Sequence, residues 1–289
     1  MFCVNNTPLT SADASVFPLS SGELYLIPIL GWVRGVLKRR LAACKPRINM
    51  KNAPAIFVRE IKLYFTSPIA YVILLVFSLL TGFFFAAYFN WATRYGGEAN
   101  MRGIFQNMSI TMLFVAPLIT MRLFAEEKRT GTIELLMTSP VTDTEVVIGK
   151  FAASLVLFTL MLASTILCPL FLMTYAKPDL SPMGAGYLGL FLLGAAFLSL
   201  GTVASTITKN QIVAALISFV ILLGLWIIGW MSGAVGSNVG KVLSFISLVD
   251  HFDDFSKGVI DTKHVMYYVS FAVFCLFLSV KMLQSSRWK

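Results

Sequence analysis

The residues that could carry out chemistry are few, and the densest group is Asp250, His251, Asp253 and Asp254. Carboxylates and imidazoles can bind divalent metals, but a run like this is more typical of a solvated helix face, and we favour that interpretation. His251 and His264 are the only histidines, and the sequence has no H-E-x-x-H, G-x-S-x-G or C-x-x-C motif. We therefore expect no catalytic residue, no metal and no cofactor.

A second candidate for chemistry is Gly149-Lys150, which superficially matches the end of a phosphate-binding loop. That loop requires Ser or Thr after the lysine and a glycine five positions before Gly149. Phe151 stands in the first place, and the upstream glycine is absent. The chain by itself is not expected to hydrolyse ATP, and the missing nucleophile, base and metal ligands also disfavour an intramembrane enzyme.

The composition indicates an integral membrane protein. Of 289 residues, 57% are hydrophobic and 13% are charged, whereas a soluble domain carries about 25% charged residues. Six apolar stretches are long enough to cross a bilayer as helices: Ile69–Asn90, Ile104–Met121, Phe151–Thr174, Gly184–Thr206, Ile212–Val235 and Val265–Val280. Since none contains a charged residue or a histidine, an ion-coupled transporter is disfavoured, but one powered from outside the membrane is not.

The basic residues predict the orientation. With the N-terminus in the cytoplasm, 17 of the 23 Lys and Arg residues fall on the inside, as the positive-inside rule requires. We expect an all-α polytopic protein with both termini cytoplasmic. Because these residues flank the spans and form no groove-reading motif, a nucleic-acid partner is not expected.

The N-terminal 49 residues do not fit this pattern. The apolar run Leu24–Val33 is short, and its basic cluster follows it, whereas a signal peptide has its charges first. We interpret residues 1–49 as an extension of doubtful status, with Met50 as an alternative start. Residues 50–289 are expected to form one membrane domain.

An amphipathic helix is predicted over Ala53–Thr66, immediately before the first span. Its basic face carries Arg59 and Lys62, and its apolar face is formed by Phe57, Ile61, Tyr64 and Phe65. Such a helix lies in the lipid interface. It can serve as an anchor, as a lever beside a cytoplasmic partner, or as both.

The charged loop from Arg122 to Lys150 is the most informative segment. Gly131 is typical of a helix stop, Thr132–Thr138 is predicted as a short helix, and Thr142-x-x-Glu145 is a capping box that starts the third span. A short apolar and charged helix between two spans favours a docking element over a solvated linker.

Three motifs carry a resemblance to a known family. The sequences E-E-K-R-T-G-T-I-E-L-L (126–136), T-S-P (138–140) and G-K (149–150) resemble the signature loop of ABC-2-type permeases, the six-span membrane subunits of ABC exporters. The resemblance extends over Ala53–Lys289, including F-S-K-G-V-I-D (255–261) and Arg287-Trp288. Within the family, the chain most resembles the gliding-motility-type branch.

The resemblance implies partners and a mechanism. It implies a bacterial cytoplasmic membrane location, two copies of a separate ATPase subunit, and a second permease copy or a paralogue. The loop at 122–150 and the N-terminal helix would couple ATP hydrolysis to movement of the spans. The residues to which we assign this coupling are Glu126, Glu127, Gly131, Thr132, Glu134, Arg59 and Lys62. The alternative is a structural or force-transmitting subunit through which no substrate passes.

Two further patterns concern packing. Gly229-x-x-x-Gly233 and Ala195-x-x-x-Ser199 have the spacing of close helix contacts, and we advance them as a packing or dimer seam. The segment at 236–264 is expected to form external helices. Its apolar stripe, opposite Asp253, Asp254 and Lys257, comprises Phe245, Leu248, Val249, Phe252, Phe255 and Val259.

Overall fold

The computed structural model describes residues 53–95, 101–132, 141–175, 180–232 and 237–286, and the helices in these ranges are accompanied by no strand. All of them belong to one compact unit, Asn49–Lys289. The predicted N-terminal extension lies outside the described residues. The helices are α1 Ala53–Thr66, α2 Pro68–Tyr95, α3 Arg102–Thr120, α4 Ala125–Thr130, α5 Asp143–Ser164, α6 Leu167–Tyr175, α7 Leu180–Ile207, α8 Gln211–Ser232, α9 Ser237–Ile246, α10 Leu248–Ser256 and α11 Thr262–Ser286.

The all-α architecture and the six predicted spans are confirmed. Six helical segments are long and apolar enough to cross a membrane: Pro68–Tyr95, Arg102–Thr130, Asp143–Thr174, Ser181–Ile207, Gln211–Met231 and Thr262–Ser285. Each corresponds to one predicted stretch. A chain with this many spanning helices is a multi-pass membrane protein.

Helix α7 lies at the centre of the bundle, and its glycines allow the close packing. In its most apolar window 72% of the residues are buried, against 17% in α8 and in α11. A Cβ atom added to Gly194 would lie 2.1 Å from the Phe158 ring of α5, and one at Gly201 would lie 2.2 Å from Thr120 Oγ1 of α3. The absence of these side chains therefore sets the distance between α7 and its two neighbours.

The third span is interrupted where a proline removes a backbone donor. Helix α5 ends at Ser164 and α6 begins at Leu167, so that Pro169 lies in the first turn of α6. The amide-free Pro169 cannot continue the helical ladder, and the Thr165 carbonyl instead accepts a hydrogen bond from Tyr187 Oη at 3.0 Å. The third span is thus interrupted before Pro169, whereas α3 continues through Pro117.

The predicted apolar stripe at 236–264 is only partly correct. Leu248, Phe252 and Phe255 are buried, but Phe245 and Val259 are exposed. The segment forms two short helices, α9 and α10, and Ser247 caps α10 by accepting a hydrogen bond from the Asp250 amide. Phe245 therefore belongs to the preceding helix, and Val259 follows the end of α10, so neither shares its apolar face.

Candidate functional site

A buried lysine marks the candidate site. Lys150 lies near the start of α5 and is 1% exposed. The helix begins at the predicted capping box: the Thr142 amide donates to Glu145 Oε2 at 2.8 Å, and the Glu145 amide donates to Thr142 Oγ1 at 3.3 Å. This box fixes where α5 starts, and hence which face of the helix carries Lys150.

Lys150 joins three separate helices through its ammonium group. Its Nζ lies 2.9 Å from Glu60 Oε1 of α1 and 3.0 Å from Glu127 Oε1 of α4. The same nitrogen lies 5.4 Å from the centroid of the Phe124 ring, a cation–π distance. We call Glu60, Glu127 and Lys150 the Lys150 cluster.

The neighbouring glycine explains how α1 reaches Lys150. A Cβ atom at Gly149 would lie 3.1 Å from Ile56 Cγ2 and 3.2 Å from the Ala53 carbonyl oxygen. Only a residue without a side chain lets the two backbones approach this closely without displacement. The Gly149-Lys150 pair thus provides a close contact and a charge, and not a phosphate loop.

Helix α1 also buries a face that the sequence pattern did not identify. Ile56 and Glu60 are its buried residues, while Phe65 of the predicted apolar face is 42% exposed. Tyr64 is half-buried and lies one turn beyond Glu60 on the same face. Burial raises the pKa of the Tyr64 phenol far above its usual range, with the Glu60 carboxylate adding to the effect. The phenol accordingly stays neutral and donates to the Ile119 carbonyl of α3.

The charges of the Lys150 cluster do not balance. Two carboxylates face one ammonium, and a second cation, Arg59, lies 3.8 Å from Glu127 with a side chain that is 55% exposed. Glu127 Oε2 is buried and has no hydrogen-bond partner among the described residues. Lys150 is therefore the only buried cation in the described part of the chain that compensates both acids, and its removal would leave them uncompensated.

A second set of contacts holds α4 to the rest of the bundle. The amides of Phe124 and Ala125 donate to Ser205 Oγ of α7 at 3.0 and 3.2 Å. Lys128 Nζ donates to the Thr206 carbonyl, again at the end of α7. Arg122 donates to Ser67 Oγ at 3.0 Å, between α1 and α2. The segment from Arg122 to Lys128 is thus fastened to the junction of α1 and α2 and to the end of α7, in addition to the contact of Glu127 with Lys150 of α5.

The predicted coupling residues fall into an inner and an outer group. Glu127 points inward to Lys150, and its side chain is 12% exposed. Gly131 ends α4 with a φ of 75°, which confirms the predicted helix stop. The outer group comprises Arg59, Lys62, Glu126 and Thr132. Glu126 is half-buried as a whole residue, but its side chain is 47% exposed, and the other three residues are exposed. Glu134 and most of the predicted helix Thr132–Thr138 lie outside the described residues.

A cleft of about 370 Å³ separates α1 from α4. Its walls carry acids and bases in equal number, and it opens beside the exposed group of coupling residues. The charged lining residues are Arg59, Glu60, Arg122, Glu126, Glu127 and Lys150.

Three of the four positions advanced as a packing seam lie among the described residues of the chain's own bundle. A Cβ atom at Gly229 would lie 2.5 Å from Ser247 Oγ, so Gly229 packs against the start of α10. Ser199 is fully buried in α7, and Ala195 is half-buried. Gly233 lies outside the described residues. A dimer contact at these positions stays a prediction.

The acidic group of α10 is engaged in ion pairs. Asp253 lies 3.0 Å from Arg102 and 2.7 Å from Lys257, and Asp254 lies 3.0 Å from His264. Within the described ranges, no group of three or more His, Cys, Asp or Glu side chains is placed to hold a metal ion. These acids fasten α10 to the first residues of α3 and α11.

Sequence reasoning missed Glu60 and gave Lys150 no role beyond a family motif. A signal for both was present. Glu60 falls four residues after Ile56 and four before Tyr64, on one helix face, and a carboxylate on a buried face requires a cationic partner. Lys150 directly precedes an apolar span, at a depth where an ammonium group also needs a partner.

The fold and the site together define a multi-pass α-helical membrane protein in which a charged cluster joins the interfacial helix to two spans. A family model for the ABC-2 family transporter protein matches residues 55–283, and the chain belongs to this family. It is therefore a membrane permease of an ABC system, and membership implies association with an ABC ATPase. A search of curated proteins found no match. The predicted family is confirmed, and the gliding-motility branch stays a prediction.

Proposed function

We propose that the chain is the permease of an ATP-driven exporter, and that the Lys150 cluster transmits movement of a separate ATPase to the spans. The observation that carries this proposal is the contact of Lys150 Nζ with Glu60 and Glu127. Helices α1, α4 and α5 are linked at one buried point, so a displacement of α4 is passed to α1 and to the third span. The protein is expected in a bacterial cytoplasmic membrane, with two ATPase copies and a second permease copy.

The ATPase is expected to dock on the exposed rim beside the cluster. The rim comprises Arg59, Lys62, Glu126, Arg129 and Thr132. Glu134 follows Thr132 by two positions in the sequence, and we expect it to contribute to docking as well. The side chains of the rim are polar, and most are solvated, as befits a surface that forms charged contacts with a soluble partner. Glu127 has a different part: it belongs to the transmission cluster and not to the docking rim.

Retention of the ATPase on membranes tests the docking surface. Glu126→Ala and Glu134→Ala should weaken retention, because truncating a carboxylate that becomes buried against a cation costs about 2–5 kcal/mol of interface free energy. Glu98→Ala, on the side expected to face away from the ATPase, is the control. If both variants retain the ATPase as the control does, docking through these carboxylates is wrong.

Orientation is tested with single cysteines in a cysteine-free background. A cysteine at Thr142 should react with an impermeant thiol reagent only after permeabilisation, whereas one at Asn238 should react in intact cells. Labelling of position 142 in intact cells would reverse the orientation and exclude docking at the Lys150 cluster. Nucleotide-dependent movement of a substrate in proteoliposomes would then separate an exporter from a purely force-transmitting subunit.

A further inference from the structure

The two histidines of the chain face each other at the end of the bundle opposite Lys150. His251 lies in α10 and His264 in the first turn of α11, and their Nδ1 atoms are 2.6 Å apart. The outer nitrogen of each ring also has a partner. His251 Nε2 lies 3.1 Å from the Phe245 carbonyl oxygen, and His264 Nε2 lies 3.0 Å from Asp254 Oδ2.

These contacts determine the number of protons on the pair. A carbonyl oxygen and a carboxylate can only accept, so Nε2 of each ring must carry a hydrogen. Only one hydrogen fits between the two Nδ1 atoms, because a second would place two N–H groups head to head. The pair therefore holds three protons, one ring being an imidazolium and the other neutral.

The surroundings of the two rings differ. His264 Nε2 faces the Asp254 carboxylate, whereas His251 Nε2 faces the neutral carbonyl oxygen of Phe245. Burial lowers the pKa of His251; the Phe245 carbonyl opposes this shift, and the facing His264 adds to it. The other titratable or charged groups near the pair are Asp250, Asp253 and Lys257 around α10, Arg102 of α3, and Asp261, Lys263, Tyr267 and Tyr268 around the start of α11.

We propose that His251 and His264 form a proton-binding site that holds α10 against α11 through one shared proton and releases it when a further proton binds to His251. Binding of that proton gives two cations with opposed N–H groups, so the rings separate. The contact is intact near neutral pH. The contact between the two rings is lost as the pH falls below the ordinary histidine range, because separated rings bind the further proton more readily than paired rings do.

Because these are the only histidines in the sequence, selective ¹⁵N-histidine labelling observes this site alone. The full chain, purified through a tag without histidine, is placed in lipid nanodiscs and titrated by solid-state NMR. At about pH 7.5, which lies above the ordinary histidine pKa, we expect one imidazolium, one neutral ring protonated at Nε2, and a correlation between the Nδ1 atoms. At low pH both rings become imidazolium and the correlation disappears. Two rings that titrate together as free histidines, without a correlation, would overturn the proposal.

A matched pair of variants tests the part played by Asp254. Asp254→Asn removes the carboxylate that faces His264 Nε2 while keeping the shape, so the fraction of pairs that hold the shared proton at about pH 7.5 should fall. Asp143→Asn, in the first turn of α5 beside the Thr142 capping box, is the control and should leave both spectra unchanged. An imidazolium signal and an Nδ1 correlation that persist unchanged in Asp254→Asn would contradict a contribution of this carboxylate to the shared proton.

Discussion

Lys150 Nζ and Glu60 Oε1 lie 2.9 Å apart, although 90 positions separate the two residues in the chain. Both side chains are almost completely buried, and each belongs to a different helix. A contact of this kind costs desolvation on both sides and is no stronger in net terms than apolar packing. Its physical consequence is that α1 and α5 cannot separate without exposing a charge to solvent or leaving a buried charge without its partner.

The first prediction concerns the removal of Lys150. Lys150→Met keeps the length of the side chain but leaves Glu60 and Glu127 buried without their cation. We expect a loss of about 3–5 kcal/mol of stability, the range measured when one partner of a buried pair is removed. The measurement is the shift of the unfolding transition in detergent or nanodiscs.

Lys62→Met is the matched control for this prediction. Lys62 lies on the exposed face of α1, and exposed charges contribute about 0–1 kcal/mol. If Lys150→Met and Lys62→Met unfold at the same point, Glu60 and Glu127 do not depend on Lys150 for charge compensation. The cluster would then not contribute to stability as we expect.

The second prediction concerns the close packing of α7. Gly194→Ala would place a methyl group 2.1 Å from the Phe158 ring, and Phe158 is itself buried. We expect a destabilisation of about 1–3 kcal/mol, as is usual for overpacking. The unfolding transition measures it.

Gly82→Ala provides the comparison, because a Cβ atom at Gly82 meets nothing within 4 Å. This change should be neutral or should stabilise α2 by up to about 1 kcal/mol through helix propensity. Equal effects of the two substitutions would show that α7 does not depend on its glycines for contact with α5.

The third prediction is a pH dependence at Asp253. Burial raises the pKa of this carboxyl, but hydrogen bonds from Lys257 and Arg102 outweigh it and hold the pKa below the usual range. The ion pairs therefore stabilise the fold above the ordinary pKa of Asp, about 3.9, and this contribution disappears as the pH falls through the lower folded value.

Asp253→Asn should accordingly destabilise the protein at neutral pH but have no effect in strong acid. Since Arg102, Asp253 and Lys257 are each more than a third exposed, solvent screening limits the loss to about 1 kcal/mol. Unfolding of both proteins is compared across the pH range. A difference that grows on acidification would contradict the sign of the shift.

The sequence predicted the local features of the site and not its long-range contacts. The capping box at Thr142 and the helix stop at Gly131 were found because each depends on residues only a few positions away. The pairing of Glu60 with Lys150 depends on the approach of α1 to Gly149, which no periodicity within either segment encodes.

The six spans could be predicted because lipid imposes a length and a composition on each. The inward orientation of Glu127 could not, since Glu126 and Glu127 are adjacent acids with the same neighbours in sequence. Which of them points to Lys150 is decided by the turn at 121–124, where Ser205 of α7 accepts the amides of Phe124 and Ala125. Ser205 is 81 positions from Phe124 and 80 positions from Ala125 in the chain.

The central claim is that Lys150 transmits movement from the ATPase to the spans. It is tested by the distance between spin labels at Val58 of α1 and Phe114 of α3, both exposed. Labelled chains are diluted with unlabelled permease so that only distances within one chain are measured. The complex with its ATPase is compared without nucleotide and with ATP trapped by vanadate.

We expect the distance distribution to shift on nucleotide trapping in the otherwise native chain and in Lys62→Met. In Lys150→Met the ATPase should be retained and should still trap nucleotide, but the distribution should not shift. An unchanged shift in Lys150→Met, with the same amount of bound ATPase, would contradict the account.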